Sequence, residues 1–318
     1  MAAITNTFIT SDAVGNREDL QNAIYSIAPF DTPFMSAIGR ENVEAVTHEW
    51  QTDTLAAAAS NAHNEGFDVS SFTAVTPTVR ESNICQISMK DVIVSETQNV
   101  VNKAGRTSEV AYQVAKNSKE LKRDMEFIVT QNQTPVLTGA RKMKALEGWL
   151  RTNTSRGTGT TTGTDPSTAT TATAGDAGAS DLRTFTETIL KDVIQKVYSS
   201  GGDPSILMVG PVNKQRVSSD FSGRSSAREI VQVGNIQGAA SLYASDFGDL
   251  SVIPNRFSRE RSAFVLDPEY AAIGFLRDFS LVELAKTGDA EKRMLSVEYT
   301  LVMRNEAAHG VAADLVTS

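Results

Sequence analysis

The run TSEVAYQVAKNSKELKRDMEFIVTQN, residues 107–132, constrains the fold more than any other stretch of this chain. Val110, Val114, Leu121, Met125 and Ile128 recur at helical spacing, with Ala111 and Ala115 beside them. Thr107 or Ser108 can cap its start and Glu109 suits the positive end of the helix dipole. Pro135 closes the region, because the residue before a proline avoids the α conformation. Such a helix is roughly 39 Å long at 1.5 Å per residue. Its other face carries Lys116, Lys119, Lys122 and Arg123.

What surrounds this helix is uneven. Residues 1–42 are mixed and polar, with one apolar foothold in IAPFDTPFMSAIG (27–39), where Asp31 or Thr32 can cap a short helix that begins at Pro33. Residues 44–54 and 83–94 have strand character; in the second, Cys85, Ile87 and Met89 alternate with Gln86, Ser88 and Lys90. The polar, small-residue stretch 55–82 joins them, which predicts an extended hairpin arm; compact domains rarely carry so long a connection without a use for it. After the long helix, a shorter one is predicted over 140–151 and a third over 182–199, capped by Ser180 or Asp181. Ile206–Val209 reads as a short buried strand and Asn213–Phe221 as a short helix or turn. Strands then dominate, at 229–233, 251–256, 262–266, 270–276, 280–286 and 292–304, with TGDAEK (287–292) as a hairpin turn. The regular alternation of a doubly wound sheet is absent, and the reading is α+β.

Between the second and third helices lies GTGTTTGTDPSTATTATAGDAGAS (157–180), with nine threonines, five glycines, five alanines and no large apolar side chain. Its glycines follow GxGxxxG rather than the dinucleotide-loop spacing, no strand precedes them and no helix starts within them. A phosphate cradle is therefore excluded and an exposed, mobile, insertion-tolerant loop is expected.

Charge and chemistry narrow the function. The formal charge is -8, from 30 basic and 38 acidic residues, which argues against a general nucleic-acid coat. Residues 1–100 carry 4 basic and 13 acidic side chains (net -9), residues 101–156 carry 11 and 5 (+6), and residues 157–318 carry 15 and 20 (-5). An acidic first third and a basic segment after it can lie against each other, within or between subunits. Cys85 is the single cysteine, so no intramolecular disulfide or cysteine zinc site can form, and no cofactor is called for. The first residues lack a secretory pattern and no run of 18 apolar residues occurs, so no membrane association is expected. His48, His63 and His309 are the only histidines; neither a nucleophile elbow nor a zinc helix occurs, and Glu306 with His309 lacks the second pair a di-iron site needs. An enzyme is not expected. The basic residues of the long helix are interleaved with Glu120, Asp124 and Glu126, as on a solvated face. Phe30, Phe34, Trp50, Phe67 and Phe72 sit in segments too extended to bury them, so a neighbouring subunit is expected to cover them.

The element order resembles the major capsid proteins of tailed bacteriophages, with the Hong Kong 97-like fold. AYQVAKNSKELKRDMEF (111–127) is similar to the spine helix, FTETILKDVIQKVYSSGGDPSILMVGPVNKQRV (185–217) to the entry of the axial domain, and LVELAKTGDAEKRMLSVEYTLVMRNEAAHGVAADL (281–315) to the closing strands. PFDTPFMSAIG and LAKTGD are similar to segments of a subgroup of phage head proteins. The resemblance implies an N-terminal arm at 1–43, an E-loop at 44–95, a P-domain at 96–156, the exposed loop at 157–180, an A-domain at 181–275 and P-domain closing strands at 276–318. It implies a shell of hexamers and pentamers around double-stranded DNA, in a virion assembled in the bacterial cytoplasm. The resemblance implies separate portal and decoration proteins as partners, and because no heptad run opens the chain, scaffolding is expected from another protein as well. Some relatives cross-link a lysine on the E-loop to a neighbour's asparagine; here no lysine occurs between 44 and 89, which excludes a lysine cross-link from the tip of that loop. The nine residues Phe30, Phe34, Trp50, Phe67, Phe72, Lys116, Lys119, Lys122 and Arg123 are the expected subunit contacts, with weak contact between the basic helix face and DNA as a secondary role. An encapsulin-like compartment shell, and a soluble oligomeric enzyme or binding protein, stay open as alternatives.

Overall fold

The computed structural model describes residues 31–69, 72, 74–101, 107–168, 173–221 and 242–317. The elements run from α1 (Pro33–Ala37), β1 (Gly39–Asn42), β2 (Thr47–Thr52), β3 (Val79–Ile84) and β4 (Gln86–Ser95) to α2 (Glu96–Val100) and the long α3 (Glu109–Thr130). Then come α4 (Leu146–Trp149), β5 (Thr154–Ser155), α5 (Glu187–Ser199), β6 (Ile206–Val209) and α6 (Pro211–Asp220). The chain ends in strands: β7 (Leu242–Ser245), β8 (Gly248–Pro254), β9 (Ala263–Leu266), β10 (Ala271–Glu283), β11 (Ala290–Met303) and β12 (Gly310–Ala312). The class is α+β.

Two sheets and one detached hairpin organise these elements. The first sheet has the order β1-β10-β11-β4, the second β5-β12-β9-β6-β8-β7, and β2 pairs only with β3. The long helix lies on the first sheet: Leu121, Met125 and Val129 join Leu295, Val297, Tyr299 and Leu301 in one apolar cluster. Ser108 caps α3 through its side chain, as expected, and the helix ends at Thr130. The second sheet is apolar on both faces, which explains the unbroken runs ILMV and AFVL. Met208, Phe264 and Leu266 point into the first cluster, while Leu207, Val209, Ala263 and Val265 pack under α5 and α6 with Leu190, Val193 and Val197.

Several sequence expectations change. Of the strand expected at 83–94, only Asn83 and Ile84 pair with 44–54, as the end of β3 opposite β2; from Gln86 onward the chain leaves the hairpin as β4 and joins β11. Within β4 the alternation is real, and its polar residues are the ones turned inward. Gln86, Ser88 and Lys90 face the helix side, bonded to Gln133, Tyr299 and Asp124, while Ile87 and Met89 face outward. The helix expected at 140–151 shrinks to Leu146–Trp149, because Val136 and Lys142 bridge around a turn whose Gly139 has φ 75°. The helix expected at 182–199 starts at Glu187, because Arg183 is held in extended backbone beside Leu315. The strands at 270–276 and 280–286 are one strand, β10, with register shifts around Arg277, so a domain boundary at 275/276 cuts through it. The last strand, β12, belongs to the second sheet rather than to the sheet of β10 and β11. The strand at 229–233 lies outside the described residues.

Candidate assembly surface

Residues 53–78 leave the subunit as an arm. Every described residue in it is exposed. Leu55 is 99%, Val75 92% and Phe72 89% exposed. Among the described residues of this stretch, Phe67 N–H to Asn64 C=O is the single backbone–backbone hydrogen bond. Burying such large apolar side chains is worth about 1.5–3 kcal/mol each, so the arm holds unspent association energy. Phe67 stacks on His63 with ring centroids 4.2 Å apart, a local contact that still leaves the phenylalanine half exposed.

The root of the arm is anchored well. Trp50, directly opposite Glu81 across the hairpin, packs its ring 5.3 Å from Trp149. Lys144, itself buried, holds its ammonium 4.5 Å over the Trp149 ring. Burial, and then the neighbouring Arg151 guanidinium, brings its pKa down to about 8. Arg151 bridges the hairpin to the chain's end, with Glu81 at 2.8 Å and Glu306 at 3.4 Å. The Asn83 amide donates to Lys144 C=O and Leu301 C=O, fixing β3 to the core. Cys85 is buried, and burial pushes its thiol up to about 11, so it is no nucleophile.

The expected contact residues separate under this geometry. Phe30 lies outside the described residues. Phe34 is 2% exposed and needs no neighbour, because α1 docks on the core. The Glu126 carboxylate of α3 accepts Phe34 N–H at 2.8 Å, Met35 N–H at 2.9 Å and the Asn255 amide at 2.6 Å. Burial raises the Glu126 pKa while these three donors oppose the shift. Trp50 is partly buried within its own subunit, while Phe67 and Phe72 stay outside. On α3, Lys116 pairs with Glu120 at 3.8 Å, Lys122 sits 5.7 Å over Phe279, Arg123 is half-buried and Lys119 is exposed. The nine residues therefore do not form one patch. What sequence reading missed is the outward stripe Ile87, Met89 and Ile93, continued by Val282. The period-two pattern was visible, but which face meets solvent depends on the position of α3.

The threonine–glycine tract is bound to the subunit rather than free. Asp314, 2% exposed and with φ 59°, accepts Gly157 N–H at 3.1 Å and Ala177 N–H at 2.9 Å. Asp181 accepts Thr161 N–H at 2.5 Å. Thr164 and Gly175 exchange two backbone bonds of 2.9 Å, and the Asn132 side chain bonds both main-chain groups of Ala174. A Cβ on Gly163 would lie 2.1 Å from an Asp314 oxygen, and one on Gly159 2.2 Å from an Asp181 oxygen. These glycines do let backbone approach an anion, but the anions are the chain's own carboxylates. Burial alone would raise the nearby Asp176 carboxyl; hydrogen bonding to Arg259, with the charges of Arg259, Arg261 and Arg156, holds it below its ordinary range.

His309 is buried, accepts Asp267 N–H through Nδ1 at 3.2 Å, and burial holds its pKa down at about 4. No group of three metal-ligating side chains, and no helix long and apolar enough to cross a membrane, occurs among the described residues.

Comparisons with known proteins agree on one class. The family model described as SU10 major capsid protein matches residues 3–316. A major capsid protein of Escherichia phage Phieco32 is 29% identical over 337 residues, covering 96% of each chain. Among solved structures, one titled for phage G gp27 major capsid proteins and gp26 decoration proteins superposes with TM-score 0.56 at 11% identity, over 99% of this chain and 100% of that one. A Mycobacterium phage Adephagia chain gives 0.61 at 14% identity over 98% of each chain. A chain from the capsid of a native GTA particle gives 0.61 at 12% identity, over 96% of this chain and 98% of that one.

Proposed function

The chain belongs to the SU10 major capsid protein family, and from that premise we propose how its parts build a shell. It is the major capsid protein of a tailed phage, with the Hong Kong 97-like fold, and it assembles with copies of itself into the capsid of the virion. The finer assignment is our reading. The arm with its hairpin, 44–84, is the E-loop. The first sheet with α3 is the P-domain. The second sheet with α5 and α6 is the A-domain, entered through the threonine–glycine tract. Subunits form hexamers and pentamers of an icosahedral shell around double-stranded DNA, assembled in the host cytoplasm with separate scaffolding, portal and decoration proteins. The chain performs no catalysis; it works through area of contact. Lys116, Lys119, Lys122 and Arg123 give at most weak contact with packaged DNA.

The observation that carries this reading is the arm: apolar side chains almost fully exposed on backbone with a single internal hydrogen bond among its described residues, attached to a root that is tightly packed. Phe67 and Phe72 are its neighbour-facing aromatics, while Phe34 and Trp50 hold the arm's own subunit together. The test is expression of the chain with and without residues 55–76, followed by electron microscopy and size-exclusion chromatography. The full chain should give shells, tubes or capsomers, and the shortened one folded monomers. Shells from the shortened chain would sink the role given to the arm.

A further inference from the structure

The free edge of β4 carries a binding groove. Towards its start the edge is covered, since Cys85 N–H donates to Val46 C=O at 2.7 Å. Beyond that point β4 pairs only with β11 among the described residues. Asn117 of α3 donates to Asp91 C=O at 3.0 Å, so the main-chain groups of Asp91 face away from β11. Because successive residues of a strand direct their main-chain groups to opposite edges, Met89 and Ile93 face the same way. Alongside this edge runs a groove of about 570 Å³, lined by Asp91 and Ile93 of β4, Gln98 of α2, and Glu109, Gln113 and Asn117 of α3. Its β4 side runs from Asp91 to Ser95, five residues at roughly 3.4 Å each. One wall carries amides, which bond peptide groups, and two carboxylates line it.

We propose that this groove receives residues 74–78 of the arm of a second copy, added as an antiparallel strand to β4; the inference rests on the capsid reading above. Three observations select that occupant. The segment AVTPTV (74–79) is rich in β-branched residues, and its described part before Val79 has no strand partner. Residues 69–79 carry no charge, whereas 53–68 contain Asp53, Glu65 and Asp68, which the groove's carboxylates would repel. The register also accounts for the proline. With Val75 opposite Ile93, Pro77 falls opposite Asp91, whose carbonyl Asn117 already serves, so the missing proline N–H leaves nothing unsatisfied. Val75 then lies beside Ile93 and Met89 on the outward apolar stripe, and Thr76 faces the amides of α3. This is strand addition at a sheet edge, in which main-chain bonds supply affinity and alternate side chains supply specificity.

The experiment pairs Val75→Cys with Ile93→Cys in one chain, using assembled particles. Opposed strand residues have Cα atoms about 4.5–5.5 Å apart, within disulfide reach. Mild oxidation should give covalent multimers on a non-reducing gel, located to 75–93 by mass spectrometry, with none from either single variant. A 75–93 disulfide within one monomer band would overturn the second copy as partner. Particles that form normally yet never cross-link would overturn the groove and leave the capsid reading standing. Failure of the unaltered chain to form any particle would overturn that reading itself. Hydrogen exchange on the unaltered protein guards against a variant that does not assemble. The amides of Asp91 and Ile93 should slow at least roughly tenfold on assembly; unchanged exchange there counts against the proposal.

Discussion

Two small-residue stretches of this chain have opposite physical fates. The described residues of the arm, 53–78, and of the tract, 157–178, form no helix and no extended strand. The arm has one backbone bond of its own among its described residues, while the tract is pinned at Gly157, Thr161, Thr164, Ala174, Gly175 and Ala177. The difference comes from partners elsewhere. Asp314, Asp181 and Asn132 present acceptors and donors to the tract, while among the described residues the arm's one hydrogen bond to the rest of the subunit runs from the Thr78 hydroxyl, at its end, to Gln51 at 3.2 Å. Such a segment is thus ordered where partners elsewhere in the fold meet backbone that its glycines leave open, and left available where none do.

The comparison can be broken from the side of the tract first. Asp314→Ala removes the acceptor of two buried N–H groups and should cost about 3 kcal/mol, read as a lowered midpoint in chemical denaturation of unassembled subunits. An unchanged midpoint would show that the clasp contributes nothing. Acid should act on the same region. His309 has its pKa at about 4 instead of 6.5, so the unfolded chain binds a proton that the folded chain refuses. Its stabilisation is complete above pH 6.5 and is lost as pH falls towards 4, at most about 3 kcal/mol. Titrating stability across that window checks this, and His309→Asn should flatten the slope. Arm exchange rates, corrected for pH, should not follow.

Smaller effects sharpen the arm's side of the comparison. Lys144→Met keeps the packing on Trp149 and removes the cost of a buried ammonium, so stability should hold or rise by about 1 kcal/mol; a loss above that would mean the charge itself secures the hairpin root. Phe72→Ser should leave subunit stability within about 0.5 kcal/mol while reducing shell yield, measured by sedimentation. Equal yields would remove Phe72 from the assembly surface.

Much of the fold was legible because local physics wrote it. The capped, periodic α3, the buried runs of β6 and β9 and the turn between β10 and β11 follow from spacing and turn chemistry that tertiary contacts then reinforced. The assembly surface was less legible. Phe34 looked like an exposed anchor until Glu126, distant in sequence, captured the two N–H groups at the start of α1. The alternation of Ile87 and Met89 with Ser88 and Lys90 named two faces without saying which meets solvent, and α3 decided it by taking the polar side of β4.

The sequence by itself determined the α+β class, the long helix, the presence of an extended arm and the absence of a lysine in it that could cross-link. Each of these depends on residues near one another in the chain or on simple composition. Only the tertiary structure decided which strand pairs with which, which face of β4 meets solvent, and why the glycines of 157–178 are there. Those depend on groups such as Asn117 and Asp314 that meet their partners only after the chain has folded, and no periodicity records such a meeting in advance.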